Sequence, residues 1–284
     1  MKIGVTGASG QLGRLIVAKL KERTDAGNIV ALVRSPQKTT DLGVEVRTFD
    51  YDNPEILPEA LAGIDKLMFV SGAEIGKRTA QHNNVIEAAK NAGVKFIAYT
   101  SLLKADTSTL GLAGEHCATE EMLTKSGIPF TLLRNGWYTE NYTASLPDVI
   151  AMGTLYGSAG NGKISSATRE DFAEAAAIVL TTEGQAGKVY ELAGDEAYTL
   201  SDFAAEVSRQ TGKDIPYINL PVEEYAQALA NSGMPQGFAQ FLAGTHVSTE
   251  NGDLFDDTYQ LSKLLGRPTT TLSKAISDAL SQMK

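Results

Sequence analysis

A short β-branched run passes into an amphipathic helix through "GVTGASGQLGRLIV", which sets Gly7, Gly10 and Gly13 on the turn between them. Few architectures use such a turn. Gly7 can take the tight bend out of the strand, Gly10 lets backbone approach a pyrophosphate, and Gly13 lets the helix pack closely on the sheet. Ala8, Ser9, Gln11 and Leu12 complete the turn and the first helical positions. There, unpaired backbone N–H groups and the positive end of the helix dipole favour an anion. Glycine spacing alone is weak, but in the first strand–turn–helix unit of a longer alternation it is a strong sign of a dinucleotide site.

That alternation continues. "NIVALVR" (28–34), "VEVRTFD" (44–50), "KLMFVSG" (66–72), "KFIAYTS" (95–101) and "FTLLRNG" (130–136) read as further strands. A helix, "AQHNNVIEAAKNAG" (80–93), lies between the fourth and fifth, and another ends near Gly127. Continuously apolar strands alternating with helices predict an α/β fold, a doubly wound parallel sheet covered on both faces. Beyond about residue 140 the rhythm changes. "EGQAGKVYELAG" (183–194) reads as one more strand, "TLSDFAAEVSRQTG" (199–212) as a helix, and 221–244 as helical. The expected division is a dinucleotide-binding domain over 1–140, joined again by about 160–195, and a smaller, mainly helical domain over 141–284.

The tip of the second strand separates the two nicotinamide cofactors. NAD sites place a carboxylate there for the ribose hydroxyl, whereas an Arg suits the 2′-phosphate of NADP. This chain has "LVRSPQK", with Arg34 at the tip, Lys38 one turn on, and no acid before Asp41. The expectation is NADPH, held in part by Arg34; a solvated loop arginine is the competing reading. Asp50 and Tyr51, in "FDYDN", are placed to meet the adenine, although Asp50, Asp52 or Asn53 could instead cap a helix. Ser71 and Gly72 fall where backbone must pass the cofactor ribose.

A formal net charge of −9 argues against nucleic acid or an anionic membrane as partner. One cysteine, Cys117, excludes an internal disulfide and a cysteine-based zinc site, and no cluster has metal-ligand spacing. The first strand begins at once and no apolar run approaches the ~20 residues of a membrane span, so a cytoplasmic location is expected. A homodimer is compatible with the sequence, which does not fix the oligomeric state.

With those residues in hand, the chain resembles the NmrA-like branch of the atypical short-chain dehydrogenases, and within it the bacterial NADPH-dependent quinone oxidoreductases. The triphenylmethane-dye reductases come next. The resemblance rests on "VTGASGQLG", "ALVRSPQK", "QHNNVIEAAKNAGVKFIAYTS", "TSLLKADTSTLGLAGEH", "LLRNGWYTENY", "ISSATREDFAEAAA" and "KVYELAGDEAYTLSDFAAEVS", spread over nearly the whole chain. It implies an extended Rossmann domain, a smaller C-terminal domain with a cleft between them, and direct hydride transfer from NADPH without flavin. It also implies that Asn135 and Gly136 approach the nicotinamide. Trp137 and Tyr138 would form a flat wall for a planar acceptor, with Asn141 beside them. The alternative is that the two aromatic rings only pack the domains together.

Typical members of the superfamily carry Tyr-x-x-x-Lys after the fifth strand. Here "TSLLKADTSTLGLAGEHCATEEML" offers no Tyr, only Ser101, His116 and Glu120. A quinone takes hydride to give a delocalised, weakly basic hydroquinone anion, so the protein can act mainly by positioning. A cationic dye needs no proton at all, so the missing acid points to acceptors that take hydride without a strong acid, a quinone first and a triphenylmethane dye as the alternative, not to a lost reaction. A regulator that only senses the dinucleotide is the alternative from another class. Ser101 is expected at the cofactor cleft. His116 is a candidate proton donor, against a reading as a surface pair with Glu120, and Tyr138 is the second candidate catalytic group. His82 reads as structural, and His246 as a loop residue with no evident partner.

Overall fold

The computed structural model describes residues 1–283. Its strands are β1 (Ile3–Thr6), β2 (Ile29–Val33), β3 (Glu45–Thr48), β4 (Lys66–Phe69), β5 (Phe96–Leu102), β6 (Phe130–Asn135), β7 (Leu155–Gly157), β8 (Val189–Leu192) and β9 (Tyr217–Asn219). The first six helices are α1 (Gln11–Lys21), α2 (Leu57–Ala60), α3 (Arg78–Asn91), α4 (Ala113–Ser126), α5 (Glu140–Thr143) and α6 (Leu146–Met152). The remaining six are α7 (Arg169–Thr181), α8 (Leu200–Thr211), α9 (Val222–Asn231), α10 (Gln236–Glu250), α11 (Gln260–Leu265) and α12 (Leu272–Gln282).

Seven strands form one sheet in the order β3-β2-β1-β4-β5-β6-β8, parallel throughout. This is the doubly wound α/β sheet that the alternating pattern predicts. Its covering on both faces is visible residue by residue in β2. Ile29, Ala31 and Val33 pack into a cluster with α1 and α7, while Val30 and Leu32 pack into another with α2, α3 and α4. Successive side chains of a strand point to opposite faces, so a strand buried on both has no polar position. Burying each Ile, Leu or Phe side chain contributes roughly 1.5–3 kcal/mol, which makes this sheet the stable platform for everything at its edge. The strand order reverses between β1 and β4, and the crevice outside their C-terminal ends is where such sheets bind ligands.

A third cluster, around Phe203, Val207, Leu146 and Ile276, forms the core of the C-terminal part. Beside it β7 and β9 make a small parallel pair, and α9 and α10 form a helical hairpin. The chain then returns, with α11 packed on α7 and β8. His246, expected in a loop, lies on α10 instead, because the helical segment that begins in this region runs on to Glu250.

Candidate active site

The glycine turn is built as its spacing requires. Gly7 has φ of +61°, and the Gly10 N–H closes the turn onto the Gly7 carbonyl at 2.9 Å. A Cβ on Gly13 would stand 2.2 Å from the Gly7 oxygen, so only glycine lets α1 come this close. No side chain caps α1 and no acid occupies its first turn, which leaves its N–H groups and dipole for an incoming anion.

A cleft of 510 Å³ opens over this helix end. Gly7, Ser9, Gly10, Gln11, Leu12 and Gly13 line one side, and Arg34, Asp50, Tyr51, Ser71 and Gly72 the other. Ala8 is fully buried beneath the turn. Arg34 stands at the rim, 67% exposed, and pairs with Glu74 at 3.3 Å. Lys38 does not line the cleft. The Asp50 carboxylate accepts the Asp52 N–H at 3.2 Å, and neither Asp50, Asp52 nor Asn53 caps α2, whose N-cap position is Ile56. The Tyr51 hydroxyl turns inward, 2.5 Å from Thr6 Oγ1 and 2.7 Å from the Val70 carbonyl, so only its ring faces the cleft. Burial there pushes the phenol pKa up.

The loop after β4 is pinned from below. The Ser71 N–H donates to Thr100 Oγ1 at 2.8 Å, and the Gly72 N–H to His82 Nε2 at 2.9 Å. Arg78 donates to the Gly72 carbonyl at 2.9 Å and pairs with Glu115 at 2.8 Å, which in turn accepts the Gly76 N–H at 3.0 Å. A backbone amide only donates, so His82 Nε2 carries no proton and Nδ1–H donates to Thr119 Oγ1, 2.8 Å away. Burial, with Arg78 nearby, lowers the His82 pKa to about 2, consistent with a neutral ring.

Five expected site residues, Ser101, His116, Asn135, Gly136 and Tyr138, line neither cleft. His116 is 5% exposed, lines neither cleft, and meets the Tyr99 hydroxyl through Nδ1 at 2.8 Å. Burial lowers its pKa to about 3, so at neutral pH it is an uncharged core residue; the structure supports neither a proton donor nor a surface pair. Ser101 also lines neither cleft. Its hydroxyl donates to Glu120 at 2.5 Å, and Glu120 takes two bonds from Arg134, at 3.0 and 2.7 Å. Ser101, Arg134 and Glu191 are register neighbours across β5, β6 and β8, so their row faces α4 behind the sheet edge.

The segment after β6 is extended, with a bridge between Tyr138 and Ala167, so Trp137 and Tyr138 project to opposite sides. They do not form one wall. Tyr138 meets Phe172 edge-on at 5.5 Å and lies under the Arg169 guanidinium, 4.3 Å from the ring centroid. It lines neither cleft, and burial raises its pKa, so the phenol stays protonated at neutral pH. Trp137 instead lines a second cleft of 940 Å³, together with Tyr142, Tyr225, Phe238 and Phe241. Asn141 lines it too, its Oδ1 accepting from Arg169 at 3.0 Å. Asn135 is buried and its Oδ1 has no hydrogen-bond partner among the described residues. Gly136 donates to the Leu192 carbonyl at 2.7 Å, and a Cβ there would come within 3.0 Å of the same oxygen.

Gln11 and Arg169 line both clefts, so the two meet at these side chains. Arg169 is held by Glu140, through its backbone N–H at 2.9 Å and its guanidinium at 3.4 Å. Sequence reasoning passed over it, although a lone arginine at the first position of a helix that continues Glu-Asp opposes the dipole and was a usable signal. Among the described residues no cluster of three metal-ligating side chains exists. The open glycine cradle fits the pyrophosphate of a nicotinamide dinucleotide, whereas Asn135 and Gly136 line neither cleft.

Comparison with known proteins agrees with this geometry. Residues 7–183 match the model of an NAD(P)H-binding family. The chain is 54% identical to quinone oxidoreductase 2 of Escherichia coli over 97% of each chain. The structure of that NADPH-dependent quinone oxidoreductase in complex with NADPH superposes with a TM-score of 0.96, at 53% identity, over 98% of this chain and 99% of that one. The Citrobacter triphenylmethane reductase complexed with NADP(H) superposes with a TM-score of 0.94, at 38% identity, over 98% of this chain and 100% of that one.

Proposed function

Because this chain belongs to the NAD(P)H-binding family, on the NmrA-like fold, we propose that it transfers hydride from NADPH directly to a quinone. The observation that carries this reading is the meeting of a dinucleotide cleft and an aromatic cleft at Gln11 and Arg169. A protein that only sensed the dinucleotide would need no second cavity beside it. The chemistry requires no flavin and no Tyr-x-x-x-Lys acid.

The residues take roles in this reading. The turn from Gly7 to Gly13 holds the pyrophosphate against α1, and Arg34 the 2′-phosphate. Asp50 and the ring face of Tyr51 meet the adenine, and Ser71 and Gly72 the ribose. Bound there, the cofactor supplies the hydride. Trp137 and Tyr142 orient the flat acceptor by offset stacking. Residues 1–140 with 160–195 serve the dinucleotide, and 141–284 the acceptor. The enzyme works in the cytoplasm, without nucleic acid, and the net charge of −9 supports the latter. No helix of the described residues is long and apolar enough to cross a membrane. The test is NADPH oxidation against a panel of benzoquinones, naphthoquinones and triphenylmethane dyes. Tight NADPH binding without oxidation by any of them would leave the sensor reading in its place.

A further inference from the structure

We propose that His246 lies in the acceptor cleft as a fixed hydrogen-bond donor, its Nε2–H directed to the quinone oxygen on which negative charge gathers. This rests on the quinone reading above and assigns it a polar contact that the aromatic walls do not supply. His246 Nδ1 accepts the Ser158 N–H at 2.9 Å. That amide can only donate, so at neutral pH the ring proton sits on Nε2. Tyr225 stacks on the imidazole at 4.7 Å and 22°, which fixes the ring plane. On the inner edge, a Cβ at Gly157 would lie 3.0 Å from His246 Cε1. With Nδ1 and Cε1 turned to Ser158 and Gly157, the Nε2 edge is the one the ring offers to the cleft it lines. Among the described residues no protein group accepts from it. Burial lowers the ring's pKa to about 4, so it serves as an uncharged donor and keeps its proton.

In the reaction the quinone gains a hydride, two electrons and one proton, and becomes a hydroquinone monoanion whose second proton comes from water. The two oxygens of a para-quinone face opposite ways, so charge delivered from one side develops on the far oxygen. A donor there strengthens as that charge grows, which lowers the barrier more than it tightens substrate binding. A cationic triphenylmethane dye loses its charge on taking hydride and has no oxyanion for His246 to hold. His246 therefore selects carbonyl acceptors over cationic ones.

The test compares the parent with His246→Phe and His246→Gln. Phe keeps the stacking on Tyr225, while Gln can accept from Ser158 and still donate into the cleft. NADPH affinity, measured separately, reports an intact fold. Trp137 is the single Trp of the chain and lines this cleft, so quenching of its fluorescence reads naphthoquinone binding in the presence of NADP⁺, independently of turnover. His246→Phe is expected to lower quinone turnover by at least about ten-fold, chiefly in kcat, with His246→Gln within about three-fold of the parent. The ratio of quinone to dye turnover falls with it. Tyr142→Phe, which removes a hydroxyl from the same cleft, is expected to lose less. Equal losses in Phe and Gln, parent-like turnover in Phe, or a larger loss in Tyr142→Phe would each overturn the proposal. A parent that binds quinone but oxidises no NADPH would sink the oxidoreductase reading alone; the donor would then stand or fall on whether His246→Phe weakens the quinone quench while Gln preserves it.

Discussion

Arg34 carries the choice between the two nicotinamide dinucleotides. Its guanidinium stands at the cleft rim, paired among the described residues only with the exposed Glu74, and is free to exchange that partner for a phosphate. Arg34→Ala should weaken NADPH binding by about ten-fold or more, the equivalent of one hydrogen bond to a charged group, while NADH affinity changes little. A titration with both cofactors checks this, and an unchanged preference would remove Arg34 from the site. His116 is the opposite case. Its i,i+4 spacing to Glu120 established a shared helical face but not that the face turns into the core. His116→Ala should keep quinone turnover within a few-fold yet cost about 1–3 kcal/mol of stability, because the buried Tyr99 hydroxyl loses its partner. A turnover loss near 100-fold would restore it as an acid.

At the scale of elements, the α1 terminus and the loop after β5 behave differently. Gly13→Ala would drive a Cβ into the Gly7 carbonyl, a rigid backbone contact. The helix must move off the sheet, with a stability loss of about 1–3 kcal/mol or more and loss of NADPH binding, measurable by thermal melts with and without cofactor. This element was readable because every part of it lies within one short stretch. The "TSLLKADTSTLGLAGEH" segment was readable only as a resemblance, and its structure gives it a tethering role. Lys104, at φ of +52°, donates to the Phe255 carbonyl at 2.6 Å, and Thr109 donates to Asp253 from both backbone and hydroxyl, at 2.8 and 2.5 Å. It ties the end of β5 to the segment after α10. The acceptor cleft was largely illegible for the same physical reason. Trp137, Arg169, Tyr225 and His246 come from separate elements, and no local period records that they converge. The wall of Trp137 and Tyr138 that the resemblance implied does not form, since an extended backbone sends the two rings apart.

For the whole molecule, the sheet was legible because strands buried on both faces leave a continuous apolar signature, and its edge was legible through glycines and the residues at strand tips. Of the three histidines only His82 was legible, as a structural residue; His116 and His246 were not, since they are buried in polar arrangements that only tertiary packing creates. All three set an acid sensitivity. His82, His116 and His246 have folded pKa values of about 2, 3 and 4 against 6.5 for the free side chain. The unfolded chain therefore binds more protons as pH falls below 6.5, so this stability is fully present above that pH and declines through the window down to the folded values. The slope is up to ~1.4 kcal/mol per histidine per pH unit. Melting temperature should fall steadily between pH 6.5 and 4, ahead of carboxylate titration; a flat profile over that window would contradict the buried neutral rings. Direct hydride transfer from the dinucleotide cleft to the aromatic cleft is tested most simply by anaerobic NADPH oxidation with a para-naphthoquinone, using protein freed of flavin. The expected result is one hydroquinone formed per NADPH consumed, at a rate slowed by deuterium at the transferred position. Tight binding without oxidation, or oxidation that begins only when flavin is added, would contradict it.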